Sequence, residues 1–234
     1  MIDNKKVTGI ILVAGNSTRY GKNKNKNLEI LNGKTILEYS INAFDNNNYI
    51  DEIIIASKED EIQKIKNIAE KEQRNKIIKV IVGGKTRKES VYHCIKNTDA
   101  NIVIIHDGAR PFIKQEYINK TIECIGEIKG ATVGVKSKDT IKIVDENNIV
   151  LNTTNRSNTW IIQTPQCFER EVLLKVHEKY DAENVTDDCS LLEKEKYKIK
   201  VIEGDYTNIK VTTFEDLIIA QQMIETEILK TYNI

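Results

Sequence analysis

Apolar residues recur along the chain in two alternating rhythms. Short runs at 9–13, 53–56, 77–82, 102–105 and 131–135 are dense in Ile and Val, as expected of parallel strands buried on both faces. Between them, residues 35–44 set Ile36, Leu37, Ile41 and Phe44 on one helical stripe. Residues 60–73 do so with Ile62, Ile65, Ile68 and Ala69, and 115–128 with Ile118, Ile122, Ile125 and Ile128. Strand–helix–strand alternation predicts right-handed crossovers and a doubly wound α/β layer. Such sheets bind ligands beyond the carboxyl ends of their strands, so chemistry is expected in the loops after Val13, Val82, Ile105 and Val135.

The rhythm changes after Val135. Residues 140–144 and 149–152 flank Asp145-Glu146-Asn147-Asn148, which predicts a β-hairpin with a polar turn. An isolated two-stranded hairpin is marginal in water, so this one either folds back on its own sheet or packs on another subunit. Helices are expected again at 171–179 and 187–194, a strand at 198–202, and a closing helix from 214 to about 230. With neither repeats nor linkers, the chain reads as one domain over 1–234, with 137–158 as a projecting β-arm.

Charge narrows the functional classes. The 234 residues balance 35 Lys+Arg against 35 Asp+Glu, so no global field exists for coating a nucleic acid, although a local basic pocket remains open. With 40% hydrophobic and 30% charged residues the composition is that of an ordinary globular protein. The longest apolar run is far short of a membrane span, and its acidic and polar flanks argue against a signal peptide. A cytoplasmic protein is expected, with no membrane contact. Cys94, Cys124, Cys167 and Cys189 are widely spaced and read as reduced structural thiols. The three histidines stand alone, without the H-E-x-x-H spacing of zinc hydrolases.

Candidate chemistry gathers in the strand-end loops. Residues 14–27 are small and polar, then basic: Ala14, Gly15, Ser17, Arg19, Lys22, Lys24, Lys26. Such a loop can aim backbone N–H groups and cations at phosphate, or it can be a solvated surface segment. It is not a Walker A loop, because Leu28 stands where Gly would precede Gly33-Lys34-Thr35, nor is it G-x-G-x-x-G. Gly83-Gly84, followed by Arg87 and Ser90, suits close approach to a flat base or a plain strand-to-helix turn. Asp107, in His106-Asp107-Gly108-Ala109-Arg110, suits Mg²⁺ beside substrate phosphates, or a helix cap. Thr186-Asp187-Asp188 can be an N-cap. Thr140 and Lys142 at the hairpin, Arg156 beyond it and Lys210 in Asn208-Ile209-Lys210 complete the set.

In this order, from Thr8 to the final helix, the motifs resemble the 2-C-methyl-D-erythritol 4-phosphate cytidylyltransferases. Ribitol-5-phosphate cytidylyltransferases share Gln163-Thr164-Pro165-Gln166 and Asn208-Ile209-Lys210, but Lys142 and Trp160 look more like the methylerythritol enzymes. The resemblance implies a Rossmann-like, mostly parallel nucleotidyltransferase sheet and transfer from CTP to a polyol phosphate with Mg²⁺. It also implies a homodimer joined through the β-arm. Arg19, Lys26 and Lys210 would surround the α-phosphate and the departing pyrophosphate. Asp107 would hold the metal, while Ala14, Gly15, Gly84 and Ser90 would bind the nucleotide. Thr140, Arg156 and Arg110 would serve the acceptor. A rival reading is a non-catalytic nucleotide-binding module, suggested by two departures. Ser17 replaces a usual Gly, at a cost on the order of 1 kcal/mol if φ is positive there. Asn25-Lys26-Asn27 replaces Pro-Lys-Gln, which removes a rigid φ and lets Lys22 or Lys24 compete for the role of Lys26.

Overall fold

Alternating side chains along each strand explain why helices cover both faces of the sheet. On β1 (Val7–Leu12), Ile11 belongs to one apolar cluster and Ile10 to another, both fully buried. β4 (Glu52–Ser57) divides Ile53 and Ile55 from Ile54 in the same way. Burying each such side chain contributes roughly 1.5–3 kcal/mol. Helices α1 (Ile36–Asp45), α2 (Ile62–Glu70) and α4 (Gln115–Glu123) pack into the first cluster. Helices α3 (Arg87–Lys96), α5 (Arg170–Lys179) and α6 (Cys189–Lys194) pack into the second. A last helix, α7 (Phe214–Glu225), is started by a Thr213–Asp216 capping box.

The computed structural model describes residues 4–17, 19–21, 25–71, 74–182 and 185–226. Among them, two short strands, β2 (Ile30–Leu31) and β3 (Lys34–Thr35), pair only with each other. The remaining strands of the main sheet are β5 (Ile77–Val82), β6 (Ile102–Asp107), β7 (Gly130–Lys136), β10 (Trp160–Glu169) and β11 (Ile199–Glu203). Its order is β11-β7-β10-β6-β1-β4-β5. All its pairings are parallel except those of β10, which runs antiparallel to both β6 and β7. β8 (Lys142–Val144) and β9 (Val150–Thr153) form a separate two-stranded sheet that does not fold back on the main one.

Several expectations need correction. β10 was not foreseen, because Gln163, Thr164, Pro165 and Gln166 interrupt its apolar pattern and a mid-sheet Pro is normally excluded. The structure tolerates them through a register shift between Ile162 and Gln166. β5 is not buried on both faces: it ends the sheet, with Lys79 and Val82 exposed. α4 stops at Glu123 rather than 128, before Gly126 at φ 147°. β6 extends through Asp107, so that carboxylate is set by sheet pairing rather than by a loop. α6 begins at Cys189, after Asp188. The expected ends of α2 at 73 and α7 at about 230 lie outside the described residues.

Candidate active site

A cavity of about 290 Å³ opens at the carboxyl ends of β1, β5 and β6, where the topology placed it. Arg19, Lys26 and Lys210 all line it, as do Ala14, Gly15, Gly84, Ser90 and Asp107. Arg19 and Lys210, 191 positions apart in the chain, meet in this cavity because parallel crossovers bring loop after loop to one edge of the sheet. Lys22 and Lys24, the rival loop cations, lie outside the described residues.

Lys26 opens a short 3₁₀ turn, Lys26–Leu28. Asn25, where a rigid Pro was expected, restrains the turn differently: its Oδ1 accepts from the Asn27 N–H at 3.0 Å, and its Nδ2 donates to Glu61 Oε2 at 2.6 Å. The Lys26 ammonium is pushed down to about 8, first by burial and then by Lys210 and Arg19, with Asp107 opposing. Among the described residues no carboxylate forms an ion pair with this ammonium, and a phosphate would supply the anion.

Asp107 is held by an ordered chain of hydrogen bonds. Its N–H donates to Thr164 Oγ1 at 3.1 Å, and Thr164 Oγ1 lies 2.9 Å from His106 Nδ1. His106 Nε2 lies 3.0 Å from the Arg110 carbonyl. That carbonyl can only accept, so Nε2 carries the proton and Nδ1 accepts from Thr164. Burial pushes His106 down to about 4, which keeps the ring neutral and unsuited to act as a base at pH 7. The Asp107 carboxylate meets Lys210 Nζ at 2.6 Å, Arg87 Nε at 3.6 Å and Arg110 Nε at 3.8 Å. Burial alone would raise its pKa, but these cations outweigh burial and hold it well below the usual carboxylate range. The carboxylate thus caps no helix; the next one starts at Gln115.

Two motifs that looked separate in the sequence are bonded to each other. Asn208 Nδ2 donates to Gln163 Oε1 and to the Thr164 carbonyl, both at 3.0 Å, which fixes the approach of Lys210. Gly84 and Ser90 form the opposite wall, and beside them Gly83 packs on Ala14: a Cβ at Gly83 would meet Ala14 Cβ at 2.6 Å, so only glycine permits this approach. Ser90 Oγ accepts from the Gly84 N–H at 3.0 Å and donates to the Thr86 carbonyl at 2.9 Å.

Three predicted residues stand elsewhere. Arg110 is buried behind Asp107, with one guanidinium nitrogen on the Asn208 carbonyl at 2.8 Å. Thr140 and Arg156 are exposed at the base of the β8–β9 arm and do not reach this chain's own cavity. Sequence reasoning assigned no role to Asn16 and Thr212, though both lie in its motifs, and found no signal at all for Lys85 and Thr86, which also line the cavity. Ser17 does have φ 49°, and its Oγ is buried without a hydrogen-bond partner. The cysteines are all free thiols; Cys94, Cys167 and Cys189 are buried.

Among the described residues no three His, Cys, Asp or Glu side chains gather as a metal site. One ionised carboxylate, Asp107, on a cavity lined by cations nevertheless fits Mg²⁺, which is commonly held by one or two carboxylates plus substrate phosphates.

The family model for 2-C-methyl-D-erythritol 4-phosphate cytidylyltransferase matches residues 7–226. A protein of that name from Caldanaerobacter subterraneus subsp. tengcongensis is 45% identical over 220 residues, covering 92% of this chain and 97% of the relative. One from Fusobacterium nucleatum is 44% identical over 218 residues, with 91% and 94% covered. The crystal structure of 4-diphosphocytidyl-2C-methyl-D-erythritol synthase from Anaerococcus prevotii superposes with a TM-score of 0.86 at 35% identity, covering 96% of this chain and 98% of that one. Matched over nearly its whole length, the chain belongs to the 2-C-methyl-D-erythritol 4-phosphate cytidylyltransferase family.

Proposed function

We propose that this enzyme transfers a cytidylyl group from CTP to 2-C-methyl-D-erythritol 4-phosphate, yielding 4-diphosphocytidyl-2-C-methyl-D-erythritol and pyrophosphate for isoprenoid-precursor synthesis. The observation that carries the chemistry is the convergence of Arg19, Lys26 and Lys210 on one cavity with Asp107. An acceptor phosphate monoester has a second pKa of about 6 and is largely ionised at neutral pH. Its oxygen forms a new bond to the α-phosphorus while the bond from that phosphorus to the bridging oxygen breaks, and pyrophosphate leaves with the electron pair. No general base is needed, in keeping with a neutral, buried His106 and an Asp107 held ionised. What the step needs is charge stabilisation on a crowded phosphorus, which preorganised cations supply.

In this reading Lys26, Arg19 and Lys210 bind the phosphates and take up charge passing to pyrophosphate. The loop around Ala14 and Gly15, with Gly84 and Ser90, receives the nucleoside. Asp107, with substrate oxygens, would hold Mg²⁺, whose charge would help neutralise the triphosphate.

The acceptor side belongs to the proposed dimer. Ile143, Val144, Ile149, Val150 and Leu151 are all exposed on the arm, so both sides of the ribbon carry apolar surface, more than a lone surface usually shows. A second copy would cover it and bring Thr140 and Arg156 to the neighbouring cavity, while Arg110 would act from behind Asp107. A cytoplasmic setting is also part of the reading; among the described residues no helix is long and apolar enough to cross a membrane.

The test is pyrophosphate release from CTP and Mg²⁺ with each polyol phosphate in turn. Release with 2-C-methyl-D-erythritol 4-phosphate is expected. Release with ribitol 5-phosphate alone would overturn the substrate, and tight CTP binding without turnover would point to a non-catalytic module.

A further inference from the structure

From the cavity wall inward runs a line of polar side chains that the transfer step does not use. Arg87, the first residue of α3, donates from one guanidinium nitrogen to Asp188 Oδ2 at 2.6 Å. Asp188 Oδ1 lies 3.1 Å from His177 Nε2, and both side chains are fully buried. The His177 ring on α5 stacks on Tyr92 of α3, with centroids 6.3 Å apart and planes at 14°. Three helices that pack on one face of the sheet thus share one carboxylate.

The Asp188 carboxylate does not start its own helix. It makes no capping bond to α6; the Ser190 N–H is met instead by Asp187 Oδ1 at 3.2 Å. Burying an ion pair is often no more stabilising than an apolar pair of the same volume. Its geometric effect is clearer. With one guanidinium nitrogen on Asp188, the Arg87 Nε stands 3.6 Å from Asp107 Oδ1, beyond hydrogen-bond range. Without Asp188, the fork is free to close on Asp107 in a short charge-assisted hydrogen bond. Asp107 Oδ2 is already engaged by Lys210, so Oδ1 is the oxygen at stake.

We propose that Asp188, steadied by His177, is a positioning residue that restrains Arg87 and so leaves one oxygen of Asp107 free for the nucleotide's phosphate–metal centre. The proposal rests on the reading that Asp107 serves that centre.

The experiment is calorimetric titration of CTP with Mg²⁺ into the intact enzyme and its variants, beside melting temperatures. Asp188→Asn should weaken CTP binding about tenfold or more, and Asp188→Glu should recover part of the loss. In an Arg87→Ala background, Asp188→Asn should change CTP affinity less than about twofold, since nothing remains to restrain. Should Asp188→Asn fail to fold, His177→Phe keeps the ring against Tyr92 and removes only the hydrogen bond. It should weaken CTP binding about threefold, and only while Arg87 is present. Fully additive losses, or a lowered melting temperature with unchanged CTP affinity, would overturn the proposal. Asp107→Asn separates the two readings. If it leaves CTP binding unchanged, the role of Asp107 fails; if it weakens binding while Asp188→Asn does not, only the positioning role fails.

Discussion

The strand-end cavity and the β8–β9 arm are opposite ways of presenting functional residues. In the cavity three key side chains have supports within the chain: Asn25 turns Lys26, Asn208 leads in Lys210, and Thr164 holds the Asp107 backbone. On the arm, Ile149 is 62% and Leu151 65% exposed, and Thr140 and Arg156 project with no wall around them. One region is finished by folding. The other becomes a site only if a second surface covers it. The contrast divides the proposed reaction into a nucleotide half organised within one chain and an acceptor half organised by association.

The largest test strikes the finished region. Lys210→Ala or Arg19→Ala should lower turnover roughly 10²–10³-fold, the size of one lost transition-state contact. A change under about threefold in steady-state assays would mean that the phosphates lie elsewhere.

The arm should fail differently. Leu151→Glu puts a charge on the apolar face, and sedimentation should then show a monomer. Acceptor KM should rise at least about tenfold, as expected when a charge-assisted contact is lost, while CTP affinity stays within about twofold. Mixing Lys210→Ala with Arg156→Ala chains sharpens the point: if sites are shared, about a quarter of the activity should return, because half the dimers are mixed and each regains one intact site. No recovery would place both residues in one chain's site.

A smaller effect comes from pH. The Lys26 ammonium sits at about 8, below its ordinary value of 10.5, and CTP prefers the protonated form. As pH rises through 8 the free enzyme loses that cation, so kcat/KM for CTP should fall by up to about tenfold per pH unit. The same shift has the opposite sign for folding: protonated Lys26 weakens the fold below its folded pKa, and the penalty lifts between 8 and 10.5. Lys26→Arg should move the alkaline fall out of range, since arginine stays charged. A fall that persists in this variant would assign it to another group.

The smallest effect concerns Ser17. Its φ of 49° and unpartnered Oγ mean that Ser17→Gly should stabilise the enzyme by about 1 kcal/mol, a rise of roughly 2–4 °C in Tm for a chain of this size. A loss of CTP affinity in that variant would show that the hydroxyl binds substrate.

How much was legible follows from where the signal lies. Residues 9–13 and 53–56 announced their strands because burial on both faces demands unbroken Ile and Val. Residues 160–169 did not, because their polar members are satisfied by partners from other elements, such as Asn208 on Gln163 and Thr132 on Gln166. Asp107 was visible as a carboxylate at a strand's carboxyl end, but not as the shared partner of Lys210, Arg87 and Arg110. Asp188 was visible as a cap but serves Arg87, 101 residues away. Local pattern records which residues prefer which backbone; it holds no record of which distant side chain will satisfy a buried polar atom.

The sequence by itself determined the α/β alternation, the strand-end location of the chemistry, the cations that line the cavity and the family to which they point. Those properties are written in periodicity and in short motifs, each readable within a few residues. Tertiary structure alone decided that β10 enters the sheet antiparallel, that the arm stands clear of it, and that Asp107 is shared among Lys210, Arg87 and Arg110. These are outcomes of long-range packing, in which burial must be reconciled with a partner for each charge.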